Sequence, residues 1–448
     1  MKNKWQNYFK GKKITQLGLG LLGRGVGDAM FLCESGAELL VTDLKDARAL
    51  SPSMGKLKKY GGIEFILGGH RLKDFRNRDF ILKAAGTPLD SPYINEAIKN
   101  GIPIEMDASL FLKLAPKGIT VIGVTGTRGK TTTAYLIYEI LKQAGKRTFL
   151  AGNIKDKATS PLLKKVRAGD YVVLELDSWQ LQGFGDAKIS PHIAVFTTFM
   201  PDHMNYYKVD MNRYFDDKAN IFKFQKPNDL LVVGEQALPF VVKKKPRARV
   251  ITAKVSRLPK NWKINLRGEH NRENTACAAV VAREIGISDA VIKTCLSGFQ
   301  AVPGRLQSVR KLRGVEFYND TTATTPDATI VGLRAIGDLN RKRVILIMGG
   351  KDKVPNYRSL AAEIPKWCKA LVLLKEIGTE KFKPLIQGVA FKDITVVERG
   401  ELSECLREAI KLSQWGDVVL FSPAFASFGM FKNEYDRGDQ FMELVRKL

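Results

Sequence analysis

The sequence predicts an α/β protein of three domains, each built on a parallel sheet covered by helices. At 448 residues the chain is long enough for about three hydrophobic cores. Strand-like apolar runs alternate with helical patterns along its whole length, and two glycine-rich turns each follow a strand and precede a helix. We expect a Rossmann-like N-terminal domain, a central domain of the P-loop ATPase type and a Rossmann-like C-terminal domain, over residues 1–116, 117–302 and 303–448.

The first segment opens with a dinucleotide-binding pattern. A strand over Ile14–Leu17 leads into Gly18-Leu-Gly20-Leu-Leu-Gly23, then a helix, then a second strand that ends at Asp43. Three glycines at this spacing, followed by an acid about twenty residues later, are typical of a dinucleotide-binding βαβ unit. Taken alone, the pattern favours a nicotinamide oxidoreductase, although any βαβ unit with a tight turn can supply it.

The second segment begins with the most informative pattern in the chain. An apolar run from Ile119 precedes Gly123-Val-Thr-Gly-Thr-Arg-Gly-Lys-Thr-Thr-Thr133, and a helical pattern follows over Ala134–Leu141. Glycines let backbone N–H groups approach phosphate oxygens, and the start of the helix adds its positive end. Lys130 is expected to reach the terminal phosphates, and Thr131 to offer its hydroxyl to Mg²⁺. A glycine-rich surface turn is the alternative, but this placement predicts nucleotide binding.

Further polar clusters follow strands or open helices. Glu175 ends an apolar strand near the phosphate loop, where a carboxylate suits Mg²⁺, although a lone edge acid is equally common. His203 follows the strand Ile193–Thr197, at the edge where active-site loops of open α/β sheets gather. Taken alone, a histidine at such a position more often has a structural role than a catalytic one. The other clusters are Lys218 in a helical pattern, Gly268-Glu-His-Asn-Arg-Glu-Asn274, Pro303-Gly-Arg305, Tyr318-Asn-Asp-Thr-Thr-Ala-Thr324 and Ser422-Pro-Ala-Phe-Ala-Ser427.

The net charge of +26 suits either nucleic-acid binding or the attraction of small polyanionic substrates. The densest basic run, Val241 to Lys263, carries nine Lys or Arg residues and no acid. Its only aromatic residue is Trp262, and no nucleic-acid motif accompanies it, so a solvated surface is the favoured interpretation.

Cysteine usage and hydropathy indicate a cytoplasmic protein. The five cysteines lie far apart, which predicts a reducing compartment and argues against disulfides or a zinc site. The basic start of the chain and the short apolar run after Lys13 are interpreted as a first strand rather than a signal peptide. No apolar run approaches the ~20 residues of a membrane span.

In this order and at these spacings, the clusters resemble the Mur ligase family, over essentially the whole chain. Gly-Thr-x-Gly-Lys-Thr-Thr, Asp-His-Met with Lys218 fifteen residues after the His, and His-Asn-x-x-Asn are family-wide signals. The Asn-Asp-x-x-Ala-Thr and Ser-Pro-Ala-x-Ala-Ser-Phe segments resemble the members that add D-glutamate. The resemblance implies an ATP-dependent ligase that joins D-glutamate to UDP-N-acetylmuramoyl-L-alanine through an acyl phosphate, in peptidoglycan precursor synthesis. A Mur-type ligase with another amino acid or acceptor, and a nucleotide-dependent nucleic-acid-binding protein, are the alternatives.

The resemblance also implies roles for residues of this chain. Four would be catalytic: Lys130, Glu175, His203 and Lys218. ATP would contact Gly126, Thr127, Arg128, Gly129, Lys130, Thr131, Thr132, Asn271, Arg305 and Asp320. Two Mg²⁺ ions would be held by Thr131, Glu175, His203 and a carbamylated Lys218. The UDP-substrate would contact Gly20, Leu21, Leu22, Asp43, Lys45, Gly86 and Asn153, and D-glutamate would contact Thr324, Lys353 and Ser427.

A few positions depart from the family pattern. Arg128 stands where Asn or His is usual in the phosphate loop, so it would either contact the γ-phosphate or face solvent. Thr322 and Thr325 replace the usual Lys and Asn, and Lys83-Ala-Ala-Gly86 stands where Ser-Pro-Gly is expected. The expected partners are the two small substrates, with no membrane or nucleic acid, and the expected state is a monomer.

Overall fold

A computed structural model describes residues 5–352, 356–427 and 429–448, and three sheets organise this part of the chain. One sheet lies in each of the three predicted segments, so the α/β fold class is confirmed. The chain divides into two compact units, Met1–Trp262 with Glu273–Leu296, and Lys263–Arg272 with Ser297–Leu448. The first two sheets belong to the first unit and the third sheet to the second. The domain boundaries at residues 116 and 302 stay predictions.

The first sheet has five parallel strands in the order β3-β2-β1-β4-β5. Its strands are β1 (Lys13–Leu17), β2 (Glu38–Asp43), β3 (Ile63–Leu67), β4 (Phe80–Lys83) and β5 (Ile104–Glu105). Its helices are α1 (Gln6–Phe9), α2 (Arg24–Glu34), α3 (Ser51–Leu57), α4 (Pro92–Lys99) and α5 (Asp107–Leu114). This is the order of a nucleotide-binding Rossmann sheet, whose ligand crevice lies beyond the carboxyl ends of β1 and β4.

The second sheet has six parallel strands in the order β11-β10-β9-β6-β8-β7. Its strands are β6 (Thr120–Thr125), β7 (Thr148–Gly152), β8 (Tyr171–Glu175), β9 (Ile193–Phe196), β10 (Leu230–Gly234) and β11 (Arg249–Ala253). The helices of this segment are α6 (Lys130–Gln143), α7 (Ser178–Ala187), α8 (Met211–Lys223), α9 (Leu238–Val242), α10 (Glu269–Glu284) and α11 (Asp289–Gly298). Because β6 lies between β9 and β8, the loops after all three strands meet at one edge.

The third sheet has the order β12-β13-β17-β14-β15-β16. Its strands are β12 (Gln307–Leu312), β13 (Val315–Asn319), β14 (Val344–Met348), β15 (Cys368–Leu374), β16 (Thr395–Arg399) and β17 (Val418–Phe421). Its helices are α12 (Pro326–Ile336), α13 (Arg358–Trp367), α14 (Ile377–Phe382), α15 (Leu402–Leu412) and α16 (Glu434–Arg446).

One strand of the third sheet departs from the expected parallel arrangement. β12 pairs with β13 in the antiparallel sense, and only Arg313 and Gly314 connect them. Both residues have positive φ, +48° and +80°, as a two-residue hairpin turn requires. A connection this short cannot make a parallel crossover, so the direction of β12 follows from the turn.

Continuous apolar runs place the middle strands in the core. All five residues of β14 are buried, and separate apolar clusters cover the two faces of the third sheet. Parallel strands have such continuous apolar sequences because helices cover both of their faces. None of the helices in the described part of the chain combines the length and the hydrophobicity that a membrane span requires.

Candidate active site

The turn between β6 and α6 has the backbone geometry of a phosphate-binding loop. Gly126 and Gly129 have φ of +145° and +85°, and a Cβ on Gly126 would lie 2.0 Å from Thr197 Oγ1. Side chains at these positions would therefore distort the turn. The Nζ atom of Lys130 donates to the carbonyls of Gly126 and Thr127, both at 3.1 Å, so the lysine folds over its own loop. The predicted strand, turn and helix are all present.

Glu175 lies at the edge that carries the phosphate loop. It is the last residue of β8 and is paired in register with Val124 of β6. Only 2% of Glu175 is exposed, and its Oε2 atom has no hydrogen-bond partner among the described residues, while Oε1 accepts a 3.4 Å bond from Asn153 Nδ2. Thr131 is buried in the first turn of α6. An orphaned, buried carboxylate oxygen is costly unless a cation or donor joins it, so Glu175 fits a Mg²⁺ ion.

Lys218 is buried against the phosphate loop. It lies on α8, is 1% exposed, and its Nζ atom donates a 2.9 Å hydrogen bond to the carbonyl of Gly126. The same nitrogen lies 4.8 Å from the centre of the Tyr214 ring. Burial, reinforced by the positive charge of Lys130, lowers the pKa of Lys218 well below its ordinary value. The amine therefore has the neutral form available for chemistry.

His203 lies in the loop after β9, at the same edge of the sheet. Its φ is +56°, and its ring lies 4.6 Å from the Trp179 ring, centre to centre. Burial lowers the pKa of His203, which favours the neutral imidazole that a metal ligand must be. Within residues 5–352, 356–427 and 429–448, no cluster of three His, Cys, Asp or Glu side chains is arranged to hold a metal. Mg²⁺ is commonly held by one or two carboxylates together with waters and substrate phosphates, so a cluster of three such side chains is not required for it.

The first sheet carries a cavity of about 230 Å³ at its switch point. Five of the residues predicted to contact the UDP-substrate line it: Gly20, Leu21, Leu22, Asp43 and Gly86. Lys45 and Asn153 are not among the lining residues. Sequence reasoning noted Lys83, which also lines the cavity, only as a departure from the family pattern. It assigned no role to six other polar residues of the same wall: Gln16, Arg24, Asp28, Thr87, Asp107 and Gln180. Helices α5 and α7 supply two of them, so no local motif could have identified them.

Asp43 accepts hydrogen bonds from the backbone of two turns, which its motif did not predict. Its Oδ2 atom accepts hydrogen bonds from the backbone N–H groups of Leu19 and Gly20, at 2.9 and 3.0 Å. Its Oδ1 atom accepts from the N–H of Lys45 at 2.9 Å. The carboxylate thus fastens the glycine-rich turn after β1 to the end of β2, which shapes the cavity mouth.

Lys83 is the buried cation of this cavity. It ends β4, is 2% exposed, and donates a 2.8 Å hydrogen bond to the carbonyl of Thr87. Weaker bonds of 3.3 and 3.4 Å reach the carbonyls of Ala84 and Ala85, so one ammonium group holds the whole turn. Burial lowers the pKa of Lys83 to about 8. The negative charges of Asp177, Asp186 and Asp217 raise it, but by less than burial lowers it.

The pKa of Lys83 predicts a pH-dependent difference in stability between the wild type and Lys83→Met. Between about pH 8 and 10.5 the folded protein holds fewer protons on Lys83 than the unfolded chain does. The wild type should therefore gain stability relative to the variant as pH rises through that window, by up to about 3 kcal/mol. Thermal unfolding midpoints at pH 7.5 and 10 measure the gap. Lys99→Met, at the exposed end of α4, is the control for the general effect of losing a charge. A difference in stability between the wild type and Lys83→Met that does not change with pH would contradict the prediction.

In the second unit, Asp320 lies inside a hydrogen-bond network. Its Oδ1 atom accepts from the N–H of Leu306 at 3.0 Å, and Oδ2 accepts from Ser422 Oγ at 2.8 Å. Burial raises the pKa of Asp320 to about 7. Asn271, also in this unit, is buried and donates from Nδ2 to the carbonyl of Arg267 at 2.8 Å.

The other predicted residues of the second unit have varied surroundings. Arg305 and Thr324 are half-buried, and Ser427 is buried. Lys353, predicted to contact D-glutamate, lies outside the described residues. Sequence reasoning assigned no role to Arg437, a fully buried guanidinium whose Nη2 atom donates a 2.8 Å hydrogen bond to the carbonyl of Thr321.

A first sheet in Rossmann order and a phosphate loop with a buried lysine against it are the features of a nucleotide-binding α/β protein. Residues 124–262 match the Mur ligase middle domain, and residues 304–425 match the Mur ligase glutamate ligase domain. The chain belongs to the Mur ligase family.

Curated relatives agree with this assignment, and solved structures share the fold. The chain is 35% identical to UDP-N-acetylmuramoylalanine–D-glutamate ligase of Roseiflexus sp. (strain RS-1), over 97% of this chain and 98% of the relative. It is 34% identical to the ligase of the same name from Clostridium kluyveri, over 99% and 98%. The crystal structure of UDP-N-acetylmuramate-alanine ligase MurC from Thermotoga maritima shares the fold, with a TM-score of 0.65, 19% identity, and coverage of 97% of this chain and 99% of that chain. The MurF ligase of that organism, in complex with ADP, has a TM-score of 0.58, 18% identity, and coverage of 84% and 96%.

Proposed function

We propose that this protein is an ATP-dependent ligase that joins D-glutamate to UDP-N-acetylmuramoyl-L-alanine in peptidoglycan precursor synthesis. The observation that carries the proposal is similarity along the full length of the chain to ligases named for that reaction. Because the match extends from end to end, it includes the first sheet, the phosphate loop and the third sheet alike. The proposal includes action as a monomer in the cytoplasm.

The site geometry suits carboxylate activation by phosphoryl transfer. A carboxylate is a poor electrophile, so its oxygen first attacks the γ-phosphorus of ATP, and ADP leaves. The amine of D-glutamate then attacks the acyl phosphate, inorganic phosphate leaves, and the amine loses a proton. The phosphate loop from Gly126 to Thr132, with Lys130, would hold and neutralise the crowded phosphate oxygens. Positioning and charge neutralisation are the main contributions a protein makes to this chemistry.

Four residues would hold Mg²⁺ on the phosphate side: Thr131, Glu175, His203 and carbamylated Lys218. An ammonium cannot ligate a cation, but a neutral amine adds CO₂ and loses a proton to give an anionic carbamate with oxygen ligands. The burial of Lys218 and the lowered pKa of its amine support this modification. Bound Mg²⁺ supplies charge neutralisation at the phosphate oxygens.

The two other substrates would occupy different sheets. The cavity of the first sheet supports binding of the UDP portion, because five of the predicted contact residues share its wall. Lys45 and Asn153 would contact the same substrate from beyond that wall. In the second unit, ATP would contact Asn271, Arg305 and Asp320, and D-glutamate would contact Thr324, Lys353 and Ser427.

The product tests this proposal. Incubation of the protein with ATP, Mg²⁺, UDP-N-acetylmuramoyl-L-alanine and D-glutamate should yield a species with the summed mass of the two substrates less one water, by mass spectrometry. Omission of ATP should abolish it, and L-glutamate is the matched control. A condensation product with another amino acid alone would support the alternative Mur-type specificity instead.

A further inference from the structure

The side chain of Arg128 leaves the phosphate loop and pairs with the loop that carries His203. Its Nη1 atom lies 2.8 Å from Oδ2 of Asp202, 74 residues along the chain. The Arg128 side chain is 37% exposed, and its guanidinium is held in an ion pair at this position. It joins the loop after β6 to the loop after β9.

The backbone of Arg128 is fastened to the same second loop. Its N–H donates to Thr198 Oγ1 at 2.9 Å, and its carbonyl accepts from Thr197 Oγ1 at 2.6 Å. The residue before it, Thr127, adds a 2.7 Å bond from its N–H to the carbonyl of Thr198. These hydrogen bonds hold the backbone of Arg128 in place, from which its side chain extends to Asp202.

Asp202, which pairs with Arg128, also contacts His203. Its Oδ1 atom accepts a 2.9 Å hydrogen bond from the N–H of His203, and its Oδ2 atom lies 3.7 Å from His203 Nε2. His203 has a φ of +56°, which is uncommon for a non-glycine residue. The carboxylate thus contacts both the backbone and the ring of the predicted metal ligand, and Arg128 neutralises it beside the place where phosphates would bind.

We propose that Arg128 is a positioning residue that acts through Asp202, setting the place of His203 beside the phosphate loop. The inference rests on the proposed function, because His203 matters there as a Mg²⁺ ligand. Without Arg128, the Asp202 carboxylate would be free to shift, and its charge would repel the phosphates of ATP. A displacement of about 1 Å in such a group can cost about a hundredfold in rate.

A double-mutant cycle with Arg128→Asn and Asp202→Asn tests the route. Steady-state kcat, the KM for ATP and, without turnover, the Kd for Mg²⁺ by titration calorimetry in the presence of ADP are measured on the full chain. We expect Arg128→Asn to lower kcat about tenfold and to raise the Kd for Mg²⁺, because the metal ligand loses its support. In the Asp202→Asn background the same change should cost less than about twofold, since interacting residues are not additive. Arg128→Lys, which keeps the charge, should recover most of the activity.

The control and the contrary outcomes are distinct. Arg147→Asn removes another ion-paired arginine, Arg147–Asp170, at the opposite edge of the same sheet, and should leave all three parameters unchanged. Equal losses from Arg128→Asn in both backgrounds would mean direct contact with ATP and overturn the route through Asp202. If Arg128→Asn changes none of the three parameters in either background, Arg128 has no role in positioning His203. If the wild type makes no product, the proposed function fails first, independently of the cycle.

Discussion

Replacement of Lys218 by alanine is expected to lower the rate of ligation by about a thousandfold or more. The variant removes both the predicted carbamate and the 2.9 Å bond from Nζ to the phosphate loop, at a place where charge stabilisation is among the larger contributions to catalysis. Phosphate release in the presence of all substrates measures the loss. Short carboxylic acids added to the assay should restore part of the rate, because a carboxylate can supply the oxygen ligand that the carbamate provided.

The control for Lys218 lies on the same helix. Lys223→Ala removes an exposed lysine from the last turn of α8 and should leave the rate unchanged. Full activity of Lys218→Ala would refute the carbamate role. Loss of activity without any rescue by formate or acetate, in a folded variant, would favour a purely structural amine held on the carbonyl of Gly126.

Lys130→Ala is expected to reduce turnover by about two to three orders of magnitude. The lysine folds over the loop that would hold the phosphates, and its charge would stabilise the transferring phosphoryl group. Steady-state kinetics with varied ATP separate binding from catalysis, and we expect kcat to fall along with ATP affinity. Lys142→Ala, in the last turn of the same helix, is the matched control. A variant that kept wild-type kcat with weakened ATP binding alone would contradict a role in the transfer step.

The phosphate loop was predictable because its causes are local. Glycines at 126 and 129, a strand before them and Lys-Thr after them are readable in a dozen residues, and the structure has strand, turn and helix there. The same holds for the first sheet, whose glycine pattern predicts a Rossmann turn. β12 was not predicted to be antiparallel, although Arg313-Gly314 is a two-residue hairpin connection visible in the sequence.

The contacts that shape the site were not predictable, since they join distant parts of the chain. The pair of Arg128 with Asp202 spans 74 positions, and the cavity of the first sheet takes Gln180 from a helix of the second. Burial of Lys83 depends on the packing around β4, and the motif at that position carries no signal of it. Asp43 was assigned to a ligand by its motif, whereas three backbone N–H groups already occupy its oxygens.

Phosphate release across a panel of amino acids, with ATP, Mg²⁺ and UDP-N-acetylmuramoyl-L-alanine present, tests the proposed reaction most directly. We expect stoichiometric release with D-glutamate and little with L-glutamate, L-alanine, L-lysine or diaminopimelate. Release that depends on neither the amino acid nor the UDP-substrate would contradict it.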